Sequence, residues 1–158
     1  ITELIGQVVN EMTIIAAAKG LTIDSQVGGA GNGRERVVAP LYKVIADPDR
    51  VREVMANLID NAIKYSPKGA IQVKAETDKD FVTISITDHG VGISLEDQKH
   101  LFQKFYRANS SMTREVGGSG LGLYIARNLI ERCGGRISVE SEMGVGSTFK
   151  FTLPLAKY

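Results

Sequence analysis

The sequence has no tryptophan, one cysteine, four prolines, and aromatic residues at only 6% of its 158 positions. Each scarcity removes a class of protein. A lone Cys133 can form no internal disulfide, which excludes both a stapled secreted fold and a structural zinc cluster; a reducing, cytosolic compartment is expected. Few aromatics, with 19 basic residues against 18 acidic ones and a formal charge of +1, leave neither stacking platform nor basic groove for nucleic acid. No apolar run approaches the ~18 residues a membrane span needs, and no signal-peptide pattern follows Ile1, so this piece is expected to be soluble with no membrane contact of its own. Internal repeats, low-complexity tracts and charge blocks are also missing. Glycine is in excess, at 17 residues or about 11%, against roughly 7% in average usage. A hydrophobic share of 43% fits one ordinary globular domain over residues 1–158.

Hydrophobic spacing then orders the chain. Leu4, Ile5, Val8, Val9, Met12 and Ile15 form a helical stripe that Gly20 ends. Leu21 to Val27 and Val37 to Ala46 are rich in β-branched residues and predict a strand pair flanking the glycine loop Val27 to Glu35, with Pro40 marking an edge or bulge. Asp47-Pro48 reads as a cap and first-turn proline for a helix whose apolar face is Val51, Val54, Met55, Leu58, Ile59, Ala62 and Ile63, stopped at Ser66-Pro67-Lys68-Gly69. Ile71, Val73 and Ala75, then Val82, Ile84 and Ile86, alternate with polar residues on either side of a turn at Thr77 to Asp80. Leu121 to Cys133 resumes helical spacing until Gly134-Gly135; Arg136 to Val139 and Thr148 to Leu153 read as two closing strands. The class expected is α+β, a mixed sheet covered by helices.

Four segments carry candidate chemistry. At about 100° per residue, Glu53, Asn57, Asn61 and Lys64 share one narrow polar stripe opposite the apolar face of their helix. Asparagine is a poor helix former, so two of them beside a lysine suit a hard cation and phosphates, although any amphipathic helix shows a solvated polar face. D-H-G-V-G-I, Asp88 to Ile93, follows an alternating strand, and its glycines let backbone approach a flat ligand while Asp88 accepts from an exocyclic amine; a plain turn reads the same way. G-G-S-G-L-G-L, Gly117 to Leu123, opens a helix, where free N–H groups and the helix dipole converge on an anion. It lacks the G-K-[ST] of a Walker loop and the preceding strand of a dinucleotide fingerprint. G-V-G-S-T-F, Gly144 to Phe149, is a glycine turn entering the last strand. Gly28, Gly29, Gly31 and Gly33 read as loop flexibility, Cys133 as core, and neither His89 nor His100 has the setting of a nucleophile or metal ligand.

In their order these segments resemble the ATP-binding catalytic domain of bacterial sensor histidine kinases, in the Bergerat-fold superfamily with gyrase and MutL, essentially from Ile1 to Leu155. N-L-I-D-N-A-I-K-Y-S at Asn57 to Ser66 resembles the N box, D-H-G-V-G-I the first glycine box, L-F-Q-K-F-Y-R the phenylalanine box, and the last two segments the remaining glycine boxes. The resemblance implies a two-layer α/β sandwich, a mixed sheet under about three helices. It implies ATP and Mg²⁺ as cofactors, with Asn61 holding the metal, Asn57 supporting phosphates or metal, and Lys64 and Tyr65 at the phosphate and sugar region. Asp88 would take the adenine amine, Gly90, Gly92 and Ile93 would line the base, and Ser147 would join through a water. Gly118, Gly120, Leu121, Gly122 and Leu123 would cap the phosphates. Arg107, with Lys64, is implied as a catalytic group neutralising charge on the γ-phosphoryl, and Arg114 is a second lid candidate. Leu101, Phe102 and Phe105 would anchor a mobile lid across residues 103–119.

Gyrase-like relatives place a water-activating glutamate four residues before the metal-binding asparagine, and here Asn57 stands there. An amide is no general base, so transfer to a protein acceptor is implied rather than fast hydrolysis, with Glu53, one turn earlier, the residue that would undermine this. His89 replaces the asparagine commoner in the first glycine box. Neither histidine sits in an acceptor box, so the acceptor is expected on a histidine-bearing dimerisation domain of the same protein, and the chain is read as an excised, monomeric fragment unable to phosphorylate itself. By the same resemblance, the parent is a homodimer anchored in the membrane, its catalytic domains cytoplasmic and its signal passed to a response-regulator receiver domain. An ATPase doing conformational work and a non-catalytic nucleotide module are the alternatives.

Overall fold

The computed structural model describes residues 1–27, 41–108 and 118–157. The predicted glycine loop, Pro40, Arg114 and Gly117 lie outside the described residues. Among the described residues three helices run for more than two turns, α1 (Thr2–Ala18), α2 (Pro48–Tyr65) and α4 (Gly122–Arg132), with a single turn, α3 (Leu95–Gln98), between the last two. The strands are β1 (Thr22–Val27), β2 (Ala70–Thr77), β3 (Phe81–Asp88), β4 (Ile137–Glu142) and β5 (Gly146–Pro154). Their order in the sheet is β1-β2-β3-β5-β4. Among the described strands β1 and β2 run parallel and the other pairs antiparallel, so the sheet is mixed as the sequence predicts.

Period two decides which face is buried. Ile71, Val73 and Ala75 of β2, Val82, Ile84 and Ile86 of β3, and Phe149, Phe151 and Leu153 of β5 all turn inward. Against them lie Ile5, Val8 and Met12 of α1, the seven predicted apolar residues of α2, and Ala126 and Ile130 of α4. The result is two layers, one sheet and one set of helices, with the opposite sheet face left to solvent. Asp47 caps α2 as expected, its carboxylate accepting from Asp49 N–H at 2.9 Å ahead of Pro48. At the other end of α2, Lys19 Nζ donates to the carbonyls of Ile63 and Lys64 at 2.7 and 2.8 Å, tying the end of α1 to the end of α2.

One expectation is corrected. The described part of the second predicted strand, residues 41–46, forms no strand, and β1 finds its partner in β2, which it pairs in parallel, Ile23 opposite Ile71 and Val27 opposite Ala75. Within 41–46 the sole bridge among the described residues joins Val44 to Leu155. Alternating β-branched residues specify extended chain but not its partner, and β1 lays one edge on β2 and packs against α1.

Candidate functional site

The same period that builds the core delivers the polar groups. Asp88 ends the series Val82, Ile84, Ile86 on the inward face of β3, so its carboxylate arrives where the helical layer stops, with 6% of the residue exposed. Ser147 lies opposite it in register on β5, also 6% exposed. The Asp88 carboxylate accepts from Gly90 N–H at 2.9 Å and from the Ser147 N–H. Burial raises its pKa above the ordinary 3.8, the two backbone donors and His89 opposing that rise.

These residues face a cavity of about 390 Å³. The polar stripe of α2 forms one wall: Asn57, Asn61, Lys64 and Tyr65 line it, as do Asp88, Gly92, Ile93 and Ser147 from the sheet side. Arg107, Gly118, Gly120, Gly122 and Leu123 complete it from the segment leading into α4. Of the residues named from sequence, Gly90 and Leu121 are not on the wall. Gly90 sits beneath it, where a Cβ would come 2.4 Å from the Tyr65 carbonyl oxygen, and Leu121 is the N-cap of α4. Glu53 is also off the wall, paired with Arg50 at 3.3 Å on exposed helix surface.

Asn57 Nδ2 donates to the Gly122 carbonyl at 2.8 Å, which fixes α2 to the start of α4 and leaves the Asn57 amide oxygen for another partner. A side chain at position 122 would crowd that amide, its Cβ falling 2.7 Å from Asn57 Oδ1. Lys64 pairs with Asp60 at 2.8 Å, both side chains well exposed, a contact worth at most ~1 kcal/mol. The phenylalanine box meets the glycine segment before α4: Phe105 N–H donates to the Gly120 carbonyl at 2.9 Å, and Phe105 adopts a φ of 65°. Gly120 is obligatory at that crossing, because its Cβ would lie 2.7 Å from the Phe105 carbonyl carbon.

Sequence reasoning missed several wall residues. Ser94, Asp97 and Tyr106 are joined, Tyr106 OH donating to Asp97 Oδ1 at 2.5 Å and Ser94 Oγ to Asp97 Oδ2 at 2.9 Å. That hydrogen bond to Asp97 raises the Tyr106 pKa above 10.0. Met143 reaches the cavity from the β4–β5 turn, because Gly144 N–H donates to the Val91 carbonyl at 2.8 Å. The S-x-x-D pattern at Ser94 was a readable cap signal; nothing local announces Met143.

A one-sided mixed sheet, its helices parted over a cavity that gathers a buried carboxylate, an asparagine pair and a glycine-led helix start, defines a nucleotide-binding domain of the Bergerat type. The chain belongs to the family of histidine kinase-, DNA gyrase B-, and HSP90-like ATPases, which it matches over residues 46–157. Sensor histidine kinase WalK of Bacillus subtilis is 36% identical over 151 residues, covering 94% of this chain and 24% of WalK. The crystal structure of full-length ShkA in complex with AMPPNP superposes with a TM-score of 0.82 at 29% identity, covering 100% of this chain and 30% of that one. The nucleotide-free catalytic domain of histidine kinase ThkA gives 0.76 at 26% identity, covering 96% and 92%. The chain thus spans only about a quarter of the curated kinase's length, and within the family it is an ATP-binding catalytic domain of the histidine-kinase kind. Among the described residues no helix is long and apolar enough to cross a membrane.

Proposed function

We propose that this chain binds ATP with Mg²⁺ in the cavity and positions the γ-phosphoryl group for transfer to a histidine on a separate dimerisation domain. The observation that carries the reading is the convergence on one cavity of Asp88, the Asn57–Asn61 pair and the Gly118 to Leu123 segment. A buried carboxylate accepts an exocyclic amine at one end. At the other, the first turn of α4, without a side-chain cap, presents backbone N–H groups to an anion.

The donor set fits Mg²⁺. Among the described residues no group of three His, Cys, Asp or Glu side chains is arranged to hold a metal. Mg²⁺ suits such a site because it keeps several waters and takes one or two protein oxygens plus substrate phosphates. The Asn61 amide oxygen and the Asn57 oxygen, freed by its Nδ2 bond to Gly122, are those ligands. When bound, the metal neutralises and orients phosphate oxygens.

The remaining roles fall to this chain's own groups. Tyr65 sits at the sugar and phosphate region, Lys64 exchanges Asp60 for a phosphate oxygen, and Arg107 offsets charge gathering on the γ-phosphoryl as it leaves. Gly92 and Ile93 carry the base with Gly90 backing the wall behind them, and Ser147 meets the base through a water. Gly118, Gly120, Gly122 and Leu123, with Leu121 as N-cap, close over the phosphates at the end of a lid spanning residues 103–119, of which 109–117 lie outside the described residues. Water is poorly activated here, since Asn57 is no base and Glu53 is engaged by Arg50 outside the cavity. The domain, residues 1–158, then serves a longer homodimeric sensor kinase, cytoplasmic and anchored through other segments to the membrane, whose phosphoryl group passes to a receiver domain. WalK and ShkA support this by their overall likeness, and ShkA by its bound AMPPNP.

Calorimetric titration with ATP and GTP, with and without Mg²⁺, tests the binding step, with phosphate release followed in the same sample. Labelled ATP plus the purified histidine-bearing domain tests transfer. Magnesium-dependent, adenine-selective binding, negligible release and label on the acceptor are expected. Rapid release without an acceptor would replace the kinase reading by an ATPase; binding without transfer would leave a nucleotide module.

A further inference from the structure

Behind the base end of the cavity, Ser141, which belongs to none of the motifs, ties two of them together. Ser141 Oγ, on β4, is 2.8 Å from the Ile93 nitrogen, 2.9 Å from the Gly146 carbonyl oxygen and 2.7 Å from Ser147 Oγ. A hydroxyl has one proton and two lone pairs. The Ile93 N–H takes one lone pair. The Gly146 carbonyl, an acceptor only, takes the proton. What Ser141 has left for Ser147 is its second lone pair, so the Ser147 proton points at Ser141 and the lone pairs of Ser147 remain for the cavity that it lines beside Asp88. Gln98 holds the arrangement together: its side-chain nitrogen donates to the Ile93 carbonyl at 2.8 Å and the Ser141 carbonyl at 3.0 Å, clamping the loop after Gly92 onto β4.

We propose that Ser141 is a positioning residue that determines base specificity: by holding the Ser147 proton it makes Ser147 an acceptor toward the cavity. Asp88 and Ser147 then form a wall of two acceptors, met directly or through a bridging water. That wall suits a purine bearing an exocyclic amine at its 6-position and opposes one bearing a carbonyl there. Without Ser141 the Ser147 hydroxyl rotates and donates into the cavity, and the preference weakens. The inference rests on the reading of the cavity as an adenine site.

The test compares ATP with ITP, which carries a carbonyl at the 6-position, by calorimetry on the same chain. The unaltered chain is expected to favour ATP. S141A is expected to lower the ATP-to-ITP affinity ratio by roughly five- to tenfold, the value of one neutral hydrogen bond gained or lost, while S141T restores it. In an S147A background, S141A is expected to change the ratio no further, since the effect runs through Ser147. If S141A does not fold, S141C, a weak donor and acceptor of similar volume, carries the same comparison. A merely structural Ser141 would lower both affinities by one factor, and that result, or an unchanged ratio, overturns the proposal. An unaltered chain that binds ATP and ITP alike overturns the adenine reading itself, whatever the variants do.

Discussion

Replacing Asp88 by asparagine keeps the side chain's shape and removes its charge at a buried acid on the cavity wall. The carboxylate is 6% exposed and burial lifts its pKa above 3.8, so the folded chain holds a proton there more tightly than the unfolded chain does. The sign follows: between 3.8 and the raised value, stability falls as pH rises, and at neutral pH the ionised group weighs against folding rather than for it. D88N is therefore expected to leave the unliganded chain within ~1 kcal/mol of its stability, one lost backbone bond offsetting the relieved burial of charge. Nucleotide binding should respond in the opposite way. A hydrogen bond to a charged acceptor contributes about 1.5–3 kcal/mol, so ATP affinity should fall roughly 10- to 150-fold. Acid should imitate the substitution: ATP affinity of the unaltered chain should decline as pH falls through the raised pKa, while D88N stays flat across that window. Thermal unfolding and calorimetry across pH read both halves. Equal ATP affinity in D88N, or a loss of affinity matched by a comparable loss of stability, would refute the reasoning.

Gly92 has a φ of 76°, and a Cβ there would lie 2.1 Å from the Glu142 carbonyl oxygen, whereas Gly144, at 78°, has open space around it. G144A should cost only the backbone strain of about 1–2 kcal/mol and G92A clearly more, with weakened ATP binding as the β4–β5 turn is pushed off the loop; equal urea midpoints would remove the close approach as the cause. N61D puts a carboxylate where the triphosphate is expected and should weaken ATP binding without Mg²⁺ by roughly tenfold, while shifting the Mg²⁺ dependence; an unchanged titration takes Asn61 out of the metal site. F151A empties a fully buried position at the centre of β5 and should cost about 3–5 kcal/mol by denaturant unfolding, and a loss under ~1 kcal/mol would mean the helical layer does not rest there.

Most elements were legible because their signals are local. The apolar face of α2 runs from Val51 to Ile63 at helical spacing, Asp47-Pro48 opens it, and the inward residues of β2, β3 and β5 alternate without a break. The stripe of Asn57, Asn61 and Lys64 and the carboxylate of Asp88 were legible for the same reason, since period and parity alone aim them inward or aside. Pairing was not. That β1 lies on β2 depends on where α1 docks, a choice between distant surfaces that an alternating pattern cannot encode. The contribution of Met143, placed by the Gly144–Val91 bond, and the hold of Ser141 on Ile93 likewise join residues about 50 positions apart, while the Asp97–Tyr106 bond closes over a turn that no local pattern announces. The sequence by itself determined which residues are helical, extended or capped and which side each polar group takes, because those follow from backbone period and short-range chemistry. Only the tertiary structure decided which of those sides face one another, because hydrogen bonds and close approaches between remote segments exist only once burial has brought them together.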